Sequence, residues 1–263
     1  MKVPYLNGHI SYRASGQGPA IVFIHGFLES ARIWRAFAYK LSSRFRVIRV
    51  NLPGHGGSSV FQETHSMELM AAAVHTVLKK EGIDKAMIVG HSMGGYVSLA
   101  FAEQWPEMIN GLVMFSTSSY ADTKARKIER DKAMEDAEAN KMKYVSSVIP
   151  HLFHERTGNK ASKKIYKLVK LAGEQSTEGI VTAIKGMKQR KDRSDVLNKS
   201  KFPTLFLAGR HDLLIQAKKV EEMQKNTPGS SIHWLERSGH FGFIEQRKES
   251  MEVIRNFAIE KIL

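Results

Sequence analysis

Hydrophobic positions along the chain fall into short apolar runs separated by stretches of helical periodicity. Val3-Pro4-Tyr5-Leu6 and His9-Ile10-Ser11-Tyr12-Arg13 read as two short strands, and the Asn7-Gly8 pair between them reads as a hairpin turn. Residues 20–24 form a fully apolar strand ending at His25-Gly26, and helical spacing follows over 31–41. Strand patterns at 45–50, 85–89 and 111–115 then alternate with helical ones at 66–81 and from the glycines at 94–95 to about 104. Buried strands of this kind, alternating with helices, predict a mostly parallel central sheet flanked by helices, an α/β fold.

The alternation stops near Tyr120. From there to Ser200 the pattern is helical and charged, with no strand, before an apolar run at 202–208 resumes the sheet. A helix over 216–225, a strand over 232–235 and a last helix over 243–263 complete the pattern. The expected organisation is a core of residues 1–117 and 202–263, with 118–201 inserted as a helical cap or lid. Such an insertion lies over the carboxyl ends of the strands, where open α/β sheets bind ligands.

Composition narrows this picture in three ways. The 263 residues suffice for one large α/β domain with an insertion. The chain has no cysteine, which removes disulfides, thiolate metal sites and cysteine nucleophiles together. A formal charge of +14 raises nucleic acid as a partner, but residues 121–201 carry 20 Lys/Arg against 11 Asp/Glu while all other residues carry 20 against 15. The excess therefore sits on predicted helices without a nucleic-acid motif, and a solvated helical face is the expected reading. No apolar run nears 18 residues and the first residues lack an apolar signal core, so a cytoplasmic protein without an integral membrane segment is expected.

The chemistry concentrates at the strand–helix junctions. Gly90-His91-Ser92-Met93-Gly94 fits G-x-S-x-G and lies between a predicted strand and a predicted helix. A serine on so tight a corner has strained backbone, and glycines two residues away remove Cβ atoms that collide with neighbouring chain. Serine also needs a base and an orienting acid. Asp212 follows the strand at 202–208 and His240 follows the strand at 232–235, so both reach the sheet edge that carries Ser92. Asp122 is the best substitute acid. His211 shares the loop of Asp212, His233 lies within a strand, and Asp192 and Asp195 belong to the charged segment. The backbone amides of Phe27 and Met93 are the expected oxyanion donors, whereas His25 is expected to be a structural loop histidine. His151 and His154 have a spacing that brings imidazoles onto one helix face, but no third ligand accompanies them, and no phosphate-loop or dinucleotide glycine pattern is present. Neither a metal nor a cofactor is expected.

These motifs together resemble the α/β-hydrolase-fold serine hydrolases with a helical cap. The resemblance rests on Ile24-His25-Gly26-Phe27, the loop of residues 51–58, Gly90-His91-Ser92-Met93-Gly94-Gly95, Gly209-Arg210-His211-Asp212 and Ser238-Gly239-His240-Phe241. It spans the sheet regions and does not extend to the inserted segment. Asn51 stands where such proteins often have aspartate, and Gln216 where proline is frequent. The resemblance implies acyl-enzyme chemistry at Ser92 with His240 as proton shuttle and Asp212 orienting it, acting on a small-molecule ester. Thioester hydrolysis, C–C and amide hydrolysis, perhydrolysis, a lyase step of quinone biosynthesis and a non-catalytic small-molecule sensor remain alternatives on the same core. Haloalkane dehalogenation is disfavoured, because it uses a carboxylate where this chain has Ser92.

Overall fold

A computed structural model describes residues 1–158 and 162–263. Its eight strands form one sheet in the order β1-β2-β4-β3-β5-β6-β7-β8. β1 (Lys2–Tyr5), β2 (Gly8–Ser15) and β4 (Arg46–Val50) pair antiparallel, and β3 (Ala20–Ile24), β4, β5 (Ala86–His91), β6 (Ile109–Phe115), β7 (Thr204–Gly209) and β8 (Ser230–Leu235) run parallel. The inner strands β3, β5 and β7 are buried at every position. That is why they read as continuous apolar runs rather than alternating ones.

Helices α1 (Arg35–Leu41), α2 (Met67–Lys80), α3 (Met93–Gln104), α9 (Ala217–Lys225), α10 (Gly242–Glu245) and α11 (Arg247–Ile262) connect or follow the strands. An aromatic cluster ties α1 to the end of the chain: the Trp34 ring lies 5.2 Å from Phe37, 5.0 Å from Phe23 and 5.4 Å from Phe243. Between β6 and β7 the chain is helical, as expected, with α4 (Lys124–Val148), α5 (Glu155–Gly158), α6 (Ser162–Gly173), α7 (Thr177–Gln189) and α8 (Ser194–Asn198). α4 is interrupted at Asn140, whose backbone is not helical and whose Oδ1 accepts from the Lys143 N–H at 3.0 Å, capping the second half.

Two local expectations need correction. The hairpin turn is Leu6-Asn7, since Tyr5 pairs with Gly8 and Leu6 takes φ +48°. Gly8 lies in the strand, and its role is close approach: a Cβ there meets Ser59 Oγ at 2.6 Å. The last helix is also broken, at Gln246 (φ −121°, ψ 52°). The break turns the Gln246 side chain back onto the loop before His240, where Oε1 accepts from the Arg237 N–H at 2.6 Å and Ser238 Oγ at 3.0 Å. Neighbouring Glu245 accepts from the Gly239 N–H at 2.9 Å and the His154 N–H at 2.9 Å. Hydrogen bonds to a loop, absent from any periodicity, decide where this helix begins.

Candidate active site

Because β3 and β5 to β8 are parallel, their carboxyl ends share one edge, and every loop picked out from the sequence leaves from it. Ser92 follows β5 directly and is the residue before α3. Its backbone has φ 51° and ψ −119°, a region that a side chain with a Cβ rarely occupies and that stores about 1–3 kcal/mol of strain. Three hydrogen bonds hold it there. The Ser92 N–H donates to Phe115 O at 3.0 Å, and Ser92 O accepts from Thr117 Oγ1 at 2.7 Å and from the Gly95 N–H at 2.9 Å.

The glycines answer to contacts. A Cβ on Gly90 meets the Gly94 carbonyl oxygen at 2.5 Å, and one on Gly94 meets the carbonyl oxygens of Ile24 at 2.5 Å and His25 at 2.7 Å. Gly95 faces the side chain of Thr117. The end of α3 is thereby pressed onto the end of β3, which brings residues 26–28 beside the serine. A Cβ on Gly26 lies 3.1 Å from the Ser92 Cβ. The amides of Phe27 and Met93 make no hydrogen bond among the described residues. Both are available where an α-helix N-terminus gathers positive potential.

Asp212 and His240 are brought together. Asp212 Oδ2 lies 2.8 Å from His240 Nδ1, and Oδ1 accepts from the N–H groups of Leu214 at 2.9 Å and Ile215 at 3.0 Å. Both side chains are buried. Burial opposes a charge on the imidazole, but the Asp212 carboxylate and its hydrogen bond outweigh this, with Glu29 and Glu245 adding to them. The His240 pKa is raised above its ordinary value. The Nδ1 contact with a carboxylate directs Nε2 away from Asp212. Ser92 and His240 line the same cavity of about 690 Å³, together with Phe27, Tyr96, Met187 and Phe241.

A second layer lies beneath the serine. Glu29 is buried, and its carboxylate accepts from the Gly26 N–H at 2.5 Å. It also faces His91 Nδ1 at 3.1 and 3.2 Å. His91 Nε2 in turn donates to the His240 carbonyl oxygen at 3.0 Å. Both ring nitrogens of His91 thus face oxygens, those of the Glu29 carboxylate on one side and the His240 carbonyl on the other. The loop after β3, the residue before Ser92 and the backbone of His240 are thus joined through one imidazole. The helical segment supports the same loops: the His240 N–H donates to Leu152 O at 2.8 Å, and Gln175 Nε2 donates to Glu29 O at 2.9 Å.

The remaining sequence candidates go elsewhere. Asp122 is held by Arg190 at 2.7 Å and Arg130 at 3.1 Å, while His240 has Asp212 as its acid partner. His25 is buried, donates from Nδ1 to Gly26 O, and accepts from the Leu52 N–H at 3.0 Å. Burial holds its pKa well below the ordinary value, as a neutral loop histidine requires. His151 bonds Ser147 O, whereas His154 stacks on His211 at 3.9 Å, so the two imidazoles do not share a ligand position. His233 contacts Glu249 at 3.0 Å, and Asp195 pairs with Lys199 on the surface. Asn51 is a buried connector, accepting from the Ala31 N–H and donating to Ser11 Oγ. Glu29, Gln246 and the pairing of Asp122 with Arg130 and Arg190 went unnoticed in the sequence, since no motif or period marks a polar side chain whose partners are distant.

Residues 19–246 match the family model described as alpha/beta hydrolase fold. The chain belongs to that family and is an esterase-like member of it. Among solved structures it superposes on a thermophilic esterase from Thermogutta terrifontis, with malate bound, at a TM-score of 0.93 and 28% identity, covering 97% of this chain and 95% of that one. The enol-lactonase from Burkholderia xenovorans LB400 superposes at 0.91 with 20% identity, over 98% of this chain and all of that one, which speaks for the fold alone. Among curated relatives, the pimeloyl-[acyl-carrier protein] methyl ester esterase of Nitrosomonas europaea is 25% identical over 244 residues, 89% of this chain and 94% of its own. Uncharacterized proteins of Mycobacterium bovis and Mycobacterium tuberculosis are 37% identical over 106 residues, a match that spans 31% of their length. Among the described residues no helix is long and apolar enough to cross a membrane.

The tight seat of α3 gives a direct stability test. Gly94→Ala places a methyl group against two backbone carbonyls that side-chain motion cannot relieve. The variant is expected to lose about 1–3 kcal/mol of stability, read as a lower urea midpoint. An unchanged midpoint contradicts the packing of α3 on β3 described above.

Proposed function

We propose that the protein is a serine hydrolase that cleaves a small carboxylic ester through an acyl-enzyme, with residues 118–201 acting as a cap over a core of 1–117 and 202–263. The observation that carries this reading is the hydrogen-bonded Asp212–His240 pair opening onto the cavity that holds Ser92 on its strained corner. Ser92 Oγ attacks the ester carbonyl while His240 Nε2 takes its proton. Asp212 keeps the other proton on Nδ1 and stabilises the imidazolium. Negative charge developing on the carbonyl oxygen is received by the amides of Phe27 and Met93. His240 then protonates the departing alkoxide. Water, activated by the same imidazole, attacks the acyl group, and the acid leaves as Ser92 regains its proton. The esterase relatives and the similar Thermogutta esterase favour an ester over the other acyl chemistries of this fold. No step draws on a metal or cofactor.

Two experiments test the assignment. Hydrolysis of p-nitrophenyl butyrate and labelling by a fluorophosphonate are both expected in the wild type and lost in Ser92→Ala. Equal turnover by the two proteins removes Ser92 from the mechanism.

The second experiment concerns His240. It must be unprotonated to act as base, so kcat/KM is expected to rise with pH through an apparent pKa above the ordinary histidine value of about 6.5. Asp212→Asn removes the charge that raises that pKa. The acid limb should move to lower pH while kcat falls by about 10⁴-fold through the wrong tautomer. A variant with unchanged rate and profile leaves Asp212 without this role.

A further inference from the structure

The cavity above Ser92 holds more positive charge than its fold needs. Two arginines of the helical segment, Arg130 on α4 and Arg190 after α7, share a single carboxylate, Asp122. Arg190 is bound through Nε, one terminal nitrogen and the face of its guanidinium. It donates from Nε to Tyr120 O at 3.1 Å and from Nη1 to Met187 O at 2.8 Å, pairs with Asp122 Oδ1 at 2.7 Å, and its guanidinium lies 4.1 Å from the centre of the Tyr96 ring. Arg130 is not. It uses only Nε, donating to Asp122 Oδ2 at 3.1 Å, and its terminal nitrogens make no hydrogen bond among the described residues. Those nitrogens are not sealed in the protein interior either, although the side chain is only 12% exposed. Arg130 lines the same cavity as Ser92 and His240.

Charge balance makes this more than a structural strut. One carboxylate offsets one of the two guanidiniums, leaving the group with a net positive charge in a mostly desolvated wall. A buried charge without a counterion is destabilising, and an anion that completes the pair removes that penalty. Burial lowers the proton affinity of Arg130 and Asp122 restores it in part, while arginine keeps its proton in proteins. The other charges at the wall do not fill the role. Glu129 pairs with Arg126 at an exposed position, Glu29 faces His91, and Lys219 adds further positive charge. Two adjacent terminal N–H groups on a planar fork match the two oxygens of a carboxylate.

Resting on the ester-hydrolase reading of Ser92, we infer that Arg130 receives a free carboxylate of the substrate, and that the preferred substrates are monoesters of short dicarboxylic acids. The acyl-enzyme then carries its second carboxylate against Arg130, and hydrolysis releases a dicarboxylate. Tyr96, one helical turn beyond Ser92, holds Arg190 in place and so fixes Asp122 for Arg130.

The test compares monoethyl adipate with ethyl hexanoate, a similar chain lacking the carboxylate, in the wild type and in Arg130→Met, which keeps an unbranched stem without the charge. The wild type is expected to prefer the charged ester in kcat/KM. The charged-to-neutral ratio should fall by about tenfold to a hundredfold in Arg130→Met, chiefly through KM, and recover in part in Arg130→Lys. A wild type without preference, or a ratio unmoved by the substitution, overturns the inference. Calorimetric binding of glutarate gives an independent reading that needs no turnover and, in the wild type, no variant that folds. Binding that is weakened at least tenfold in Arg130→Met supports the site, and absence of binding to the wild type overturns it. Glutarate binding without hydrolysis of either ester leaves the anion site standing and refutes the esterase reading instead.

Discussion

The backbone at Ser92 is the constraint around which the rest of the molecule is arranged. A residue with a Cβ at φ 51° and ψ −119° does not stay there unaided, and neighbours from the ends of two strands hold it. β6 supplies the Phe115 carbonyl and, just beyond its end, the Thr117 hydroxyl. β3 supplies the carbonyls against which Gly94 rests. The corner places Ser92 in the cavity wall and starts α3 at the next residue, so the helix N-terminus and the serine arrive together.

The same corner explains why burial under the site is polar. Glu29, His91 and the His240 backbone form a chain of contacts below Ser92, where an apolar filling was available. Apolar packing buries β3 and β5 along their whole length, but it does not orient the loops that leave their ends. Hydrogen bonds do, because they fix direction as well as distance. The Glu29 carboxylate holds the Gly26 amide, and the loop carrying Phe27 is set by that bond. The loop that carries Phe27 and the loop that carries His240 are therefore positioned by one network, and a change in one is felt by the other.

Much of this was legible in the sequence, and the boundary of legibility has a physical cause. Period and composition report which face of an element is buried, so the inner strands, the helical segment and the general order of the fold followed from them. Glycine spacing reports backbone crowding, so the Gly90–Gly95 turn was readable, with Ser92 at its centre. At Asn7-Gly8 the same rule misled, because Gly8 avoids Ser59 rather than making the turn. Long-range polar partners leave no such trace. Gln246 breaks a helix for the sake of Arg237 and Ser238, and Asp122, read as a substitute acid, holds two arginines from elements far along the chain.

The basic segment shows where counting charges stops being informative. Its +9 excess is spread mostly over solvated helix faces, where salt and water screen each charge and a surplus carries little consequence. A few arginines are buried, and their surroundings differ. Arg193 is 2% exposed and meets two carboxylates, Glu68 at 2.6 Å and Glu103 at 3.0 Å, which fastens α8 to α2 and α3. Arg130 and Arg190 meet one carboxylate between them, and they do so in the wall of the cavity that holds the serine. In a low-dielectric site the difference between two carboxylates and one decides whether a cation is a fastener or a receptor. The segment's chemistry thus depends on a single missing counter-charge beside Arg130, which its net charge does not reveal.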